Sequence, residues 1–142
     1  MPAAEKPSPD KLSIVVFSGA FDKIHYALAM AAASIATNVP ATLFFTMGAI
    51  RALERPLADG SAAWTRLPGA GMDAGFKGRG IATFEELLDS CIALGVTFMV
   101  CEMGLRAMDI PPDRLRPDVP VAIGGLVTFQ TDASRTGTMV FI

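Results

Sequence analysis

Three residues in this sequence stand out as candidates for nucleophilic chemistry: Cys91, Cys101 and the single histidine, His25. Cys101 follows the apolar run "VTFMV" and precedes "EMGLRAM", so it sits where a strand hands over to a helix. Backbone N–H groups at a helix start, with the helix dipole behind them, favour a thiolate over a thiol. They lower a cysteine pKa from its free value of about 8.5. The thiolate is the nucleophilic form, so this position suits a reactive sulfur. Free cysteine is also among the most buried residue types, so the same position suits an inert packing residue. Position alone leaves both readings open. Cys91 lies inside "TFEELLDSCIALG", on a face with Leu87, Leu88 and Leu94, which marks it as a core residue. It serves as a resolving thiol only if the fold brings it to Cys101. His25, early in the first helix, is a candidate base for Cys101, with packing as the alternative role. No Ser-His-Asp arrangement can be assigned. Glu85 and Glu86 are neighbours on a helix, point apart, and read as a solvated face.

The elements that must position these groups are legible in the hydropathy pattern. "LSIVVFS" (12–18) is a continuous apolar run, the pattern of a strand covered on both faces. Ser18-Gly19 makes a turn, and "KIHYALAMAAASIAT" reads as an alanine-rich helix. "ATLFFTM" (41–47) is a second buried strand, with "GAIRALE" a short helix after it. Thr83 and Glu86 form a capping box before a helix that Gly95 stops. "VTFMV" is the third strand, a helix follows from Glu102 to about Met108, and "VPVAIGG" contains the fourth strand. "LVTFQTDASR" reads as a helix despite its β-branched residues, and "TMVFI" closes the chain as a strand. Strands alternating with helices predict an α/β three-layer sandwich with a mainly parallel sheet of about five strands. Ligands and reactive groups in such a sheet gather at the C-terminal ends of the strands, where Cys101 falls.

The chain has 142 residues, which suits one domain. We expect a disordered tail over 1–11, a single domain over 12–142 and a glycine-rich flap over about 55–82 that gates the site. The flap contains Gly60, Gly69, Gly71, Gly75, Gly78 and Gly80 but lacks the ending of a phosphate-binding loop. The apolar fraction is 51% against 18% charged, which predicts apolar surface covered by a partner, most simply a second copy of the chain. A net charge of −2 gives no reason to expect nucleic-acid or lipid binding. The cysteines form no CxxC motif, so neither a metal site nor a disulfide framework is expected, and free thiols suit a reducing, cytoplasmic setting. From His25 to Ile50 there is no Asp, Glu, Lys or Arg, a length that could suggest a membrane span. Asn38-Val39-Pro40 breaks the run into a buried helix and a buried strand instead, so no transmembrane segment is expected.

"IVVFSGAFDKIHYALAMAAASIATNVPATLFFTMGAIRAL" and "FEELLDSCIALGVTFMVCEMGLRAMDIPPDRL" together resemble the DsrE/DsrF-like family, in the DsrE-related branch that carries a peroxiredoxin-like label. "GGLVTF" and the closing "VFI" resemble its tail, so the likeness runs from about Leu12 to Ile142 and is least over 55–80. The resemblance implies a small α/β fold assembled as trimers or hexamers. It also implies a sulfur relay, in which a cysteine accepts sulfane sulfur as a persulfide and passes it to a TusA-type or rhodanese-type carrier. The family cysteine falls on Cys101. Gly104 stands where the family often has Ser, and Asp109 where it often has Gly.

The function expected is therefore a sulfur carrier or sulfurtransferase-like protein with Cys101 as nucleophile and His25 as base. Ser18, Gly19, Glu102 and Gly104 are the expected binding residues, with Gly104 leaving room beside the sulfur. No metal or organic cofactor is required. A non-catalytic, homo-oligomeric binding or assembly protein of the same fold is the alternative. A thiol redox protein is a third reading and needs a resolving thiol or an external reductant. A flavin or nucleotide site is a fourth, although "FSGAFDK" lacks the glycine run that cradles phosphate.

Overall fold

A computed structural model describes residues 9–142. Five parallel strands form one sheet: β1 (Leu12–Val16), β2 (Ala41–Phe45), β3 (Thr97–Cys101), β4 (Val121–Gly124) and β5 (Thr138–Phe141), in the order β4-β3-β2-β1-β5. β2 is central, and all five of its residues are buried, as an uninterrupted apolar run requires when both faces are covered. The helices are α1 (Phe21–Ala36), α2 (Met72–Gly78), α3 (Phe84–Leu94), α4 (Glu102–Ala107) and α5 (Leu126–Asp132). The short helix expected after β2 is a 3-10 helix over Met47–Leu53.

The strand order sorts the helices between the two faces. From β1 through β2 and β3 to β4 the chain steps in one direction, so right-handed crossovers put their helices on one face. The β4-to-β5 connection steps back across the sheet and carries α5 to the opposite face. The pleat follows the same division. Ile14, Val16, Leu43, Phe45, Phe98 and Val100 face the main core with α1 and α3. Val15, Phe44, Met99 and Cys101 face α5, where Phe129 completes a smaller cluster. α1 lays Ala27 and Ala31 against the sheet, small side chains that let helix and sheet approach closely. It ends at Asn38, whose φ of 63° is the left-handed stop that asparagine tolerates. α3 begins at the expected capping box, with Thr83 Oγ1 accepting from Glu86 N–H and Glu86 Oε1 from Thr83 N–H. It stops at Gly95, φ 85°.

Three expectations need correction. The segment 55–82 is not an open strap. It holds a 3-10 turn (Ala63–Arg66) and α2, and buries Trp64, Leu67 and Ala70. Its aromatic residues pack on the α1–α3 side, with Trp64 5.0 Å from Phe84 and 5.5 Å from Phe21 between ring centroids. The tail boundary also moves. Asp10 bonds the Thr136 hydroxyl and Lys11 pairs with Asp132, so these two residues belong to the folded part, while 1–8 of the expected tail lie outside the described residues. Leu94 is exposed rather than sharing the buried face of Cys91 and Leu88. No helix among the described residues is long and apolar enough to cross a membrane.

Candidate functional site

Cys101 is the last residue of β3 and the N-cap of α4, so its backbone is fixed by the sheet on one side and by the helix on the other. Its side chain points to the α5 face, clusters with Phe44, Met99 and Phe129, and is 1% exposed. The sulfur accepts the backbone N–H of Gly104 at 3.4 Å. α4 has only six residues, so its dipole is short. That single N–H contact is the polar partner the structure gives the sulfur.

The loops around Cys101 are locked backbone to backbone. A Cβ on Gly104 would lie 2.7 Å from Met47 N, 2.9 Å from Ile50 Cδ1 and 2.9 Å from Thr46 Oγ1. Gly104 is therefore required by the turn after β2. The room it makes is for that turn, not for an atom beside the sulfur. Met47 itself takes a left-handed φ of 48°, a costly conformation for a non-glycine residue. One loop further along, a Cβ on Gly19 would meet Gly48 O at 3.3 Å. The strand ends of β1, β2 and β3 are thus held in contact at one edge of the sheet.

The remaining expected site residues divide. Ser18 and Gly19 lie at that edge, where Ser18 Oγ accepts Ala20 N–H at 3.1 Å and shapes the turn into α1. Glu102 is exposed and pairs with Arg106 at 3.1 Å along α4, beside an apolar groove formed with Leu105, Ile110 and Ile123. His25 is not brought to Cys101. It is 7% exposed, its Nε2–H donates to Ala82 O at 2.8 Å, and its ring lies 4.6 Å from Phe76 between centroids. It belongs to the aromatic group around Phe21 on the main-core face, whereas Cys101 faces α5. Its assignment as base is corrected to a packing role. Cys91 is also apart, buried under α1 with its thiol donating to Leu28 O at 3.3 Å. Burial pushes the Cys91 thiol up to about 11, which keeps it protonated and inert.

One polar cluster escaped the sequence reading. Arg116 forks onto Glu85 (2.7 and 3.0 Å) and onto Asp118 (2.8 Å), and Trp64 Nε1–H donates to Glu85 at 2.7 Å. Glu85 is therefore not simply solvated. The Arg116 guanidinium holds the carboxyls of Glu85 and Asp118 below their usual range, and they raise Arg116 in turn. No spacing rule links positions 64, 85, 116 and 118, so only the tertiary fold assembles them. Among the described residues no group of His, Cys, Asp and Glu has the arrangement of a metal site.

The DsrE/DsrF-like family model matches residues 10–137. The chain belongs to the DsrE/DsrF-like family. Two solved structures share this DsrE-like fold over most of their length. The ychN protein from E. coli has 18% identity and a TM-score of 0.58, covering 93% of this chain and 99% of its own. The protein of unknown function MTH1491 from Methanobacterium thermoautotrophicum has 12% identity and a TM-score of 0.61, covering 93% and 98%. No curated protein matches the chain.

Proposed function

We propose that this DsrE/DsrF-like protein carries sulfane sulfur on Cys101. The Cys101 thiolate attacks the outer sulfur of a donor such as thiosulfate. A Cys101 S–S bond forms, the donor's S–S bond breaks, and sulfite leaves with the bonding pair. The thiol proton goes to solvent, and no external oxidant is required. A carrier protein of TusA or rhodanese type then takes the sulfur by the same exchange. The observation that carries this reading is the place of Cys101, at the C-terminal end of an interior parallel strand with its sulfur accepting the Gly104 N–H.

A second reading is a non-catalytic assembly protein. The exposure of Phe17, Leu126, Val127, Met139 and Phe141 favours it, as does the burial of Cys101. Both readings include self-association as a homotrimer or homohexamer.

Intact-protein mass spectrometry after incubation with a sulfane-sulfur donor separates them. We expect wild type to gain whole sulfur atoms that dithiothreitol removes, and Cys101→Ser to gain none. Unmodified wild type across several donors would overturn the carrier reading in favour of assembly.

A further inference from the structure

The carrier reading meets an obstacle: the sulfur is buried, and a donor must reach it. The cover is unequal on the two faces of the sheet. The main-core face carries α1, α3 and the packed 55–82 segment. Among the described residues, the face that Cys101 points to carries only α5, a seven-residue helix.

α5 is held at few points. At its start, Gly125 caps it with no side-chain hydrogen bond, and a Cβ there would meet nothing within 4 Å. In its middle, Phe129 is the only fully buried side chain, stacked on Phe44 at 4.5 Å and 13° over the Cys101 cluster. Thr128 lies over Gly124, the residue paired with Cys101 across β3 and β4. At its end, Asp132 Oδ2 accepts from Lys11 Nζ at 2.7 Å and from Thr42 Oγ1 at 2.8 Å, and Asp132 O accepts from Lys11 Nζ at 2.8 Å. Leu126 and Val127 face solvent, Val127 at 81% exposure. A short helix with one buried anchor and one polar tie has the character of a segment that opens locally, below the free energy of global unfolding.

We propose that α5 is a lid over Cys101, which swings about Gly125 when Phe129 leaves the Phe44 stack and Asp132 releases Lys11 and Thr42. Closed, it shields the sulfur from water and bulk thiols. Open, it exposes the thiol while the sheet and the main core stay intact. This rests on Cys101 being the reacting sulfur, and its first test reads access to the thiol separately from sulfur transfer.

The test is the alkylation rate of each cysteine with N-ethylmaleimide, read by peptide mass spectrometry on the full chain under native conditions. Cys91, buried in the main core, reports global unfolding within the same molecule. We expect Cys101 to be labelled faster than Cys91 in wild type. Asp132→Asn weakens the tie, and we expect it to speed Cys101 about tenfold or more, the scale of a lost charge-assisted hydrogen bond; global unfolding also breaks the tie, so Cys91 speeds by no more than the same factor and stays the slower of the two. Phe129→Leu, which keeps the site apolar, is expected to act in the same direction. Equal labelling of both cysteines in wild type overturns the lid, because access would then need global unfolding. Rapid labelling of Cys101 that neither variant alters overturns it too, because the sulfur would be reached by another route. Lid behaviour without persulfide formation defeats the carrier reading alone, and persulfide formation insensitive to both variants defeats the lid alone.

Discussion

Gly104 is tightly specified by its surroundings. The atoms a Cβ would meet include a backbone nitrogen, which cannot rotate away as a flexible side chain could. Gly104→Ala is therefore expected to destabilise the protein by about 2 kcal/mol, the scale of core overpacking, read as a lower urea midpoint. An unchanged midpoint would show that the turn after β2 can shift. Asp109, by contrast, is a tolerated departure. Its φ of 55° is the left-handed position that follows α4, which explains why a glycine suits the position and why the aspartate still fits. Cys101 and Cys91 show how environment divides two chemically identical thiols. One ends a strand under a short helix and accepts an N–H. The other sits mid-helix against α1, with burial raising its pKa.

At the scale of elements, the Trp64–Glu85–Arg116–Asp118 cluster ties the 55–82 segment to α3 and to the turn before β4. Its effect on stability has a definite sign with pH. The folded-state pKa values of Glu85 and Asp118 are depressed by Arg116, so their contribution is fully present above the ordinary carboxylate value of about 4. It is lost as pH falls from there through the lower folded values. Asp132 acts in the same direction: burial raises its pKa, but Lys11 and Thr42 outweigh that and leave it lowered. Unfolding midpoints are expected to be level between pH 5 and 7 and to fall below about pH 4. Arg116→Gln should flatten that fall, by about 1 kcal/mol because the carboxylates are partly open to solvent. An acid fall identical in the variant would assign it to other carboxylates.

At the scale of the molecule, the two faces of the sheet are finished differently. The main-core face is closed by helices and by the packed 55–82 segment. The α5 face leaves Met139 and Phe141 of β5 uncovered, with Phe141 at 67% exposure and its ring 5.3 Å from that of Phe17. An edge strand presenting such side chains fits self-association. Light scattering is expected to give a mass of more than one chain for wild type. Phe141→Asp should shift the population toward monomer without changing its secondary structure by circular dichroism. A monomeric wild type would refute self-association through this face.

The sequence by itself determined the fold class, the parallel sheet, the capping box of α3, the place of Cys101 at a strand end and the family. Each of these rests on short-range patterns: runs of apolar residues, a Thr-x-x-Glu spacing, and motif order along the chain. The tertiary structure alone decided which face each residue meets. His25 and Cys101 both come from the strand–helix architecture, yet the pleat and the reversed crossover to β5 set them on opposite sides. The glycine-rich 55–82 segment has the composition of a flap, but Trp64 and its bond to Glu85 pin it to the core. The Arg116 cluster joins four distant positions that no local pattern connects. Periodicity along one element reports which of its residues are buried. It does not report which partner buries them, because that depends on strand order and crossover direction, which only the folded chain fixes.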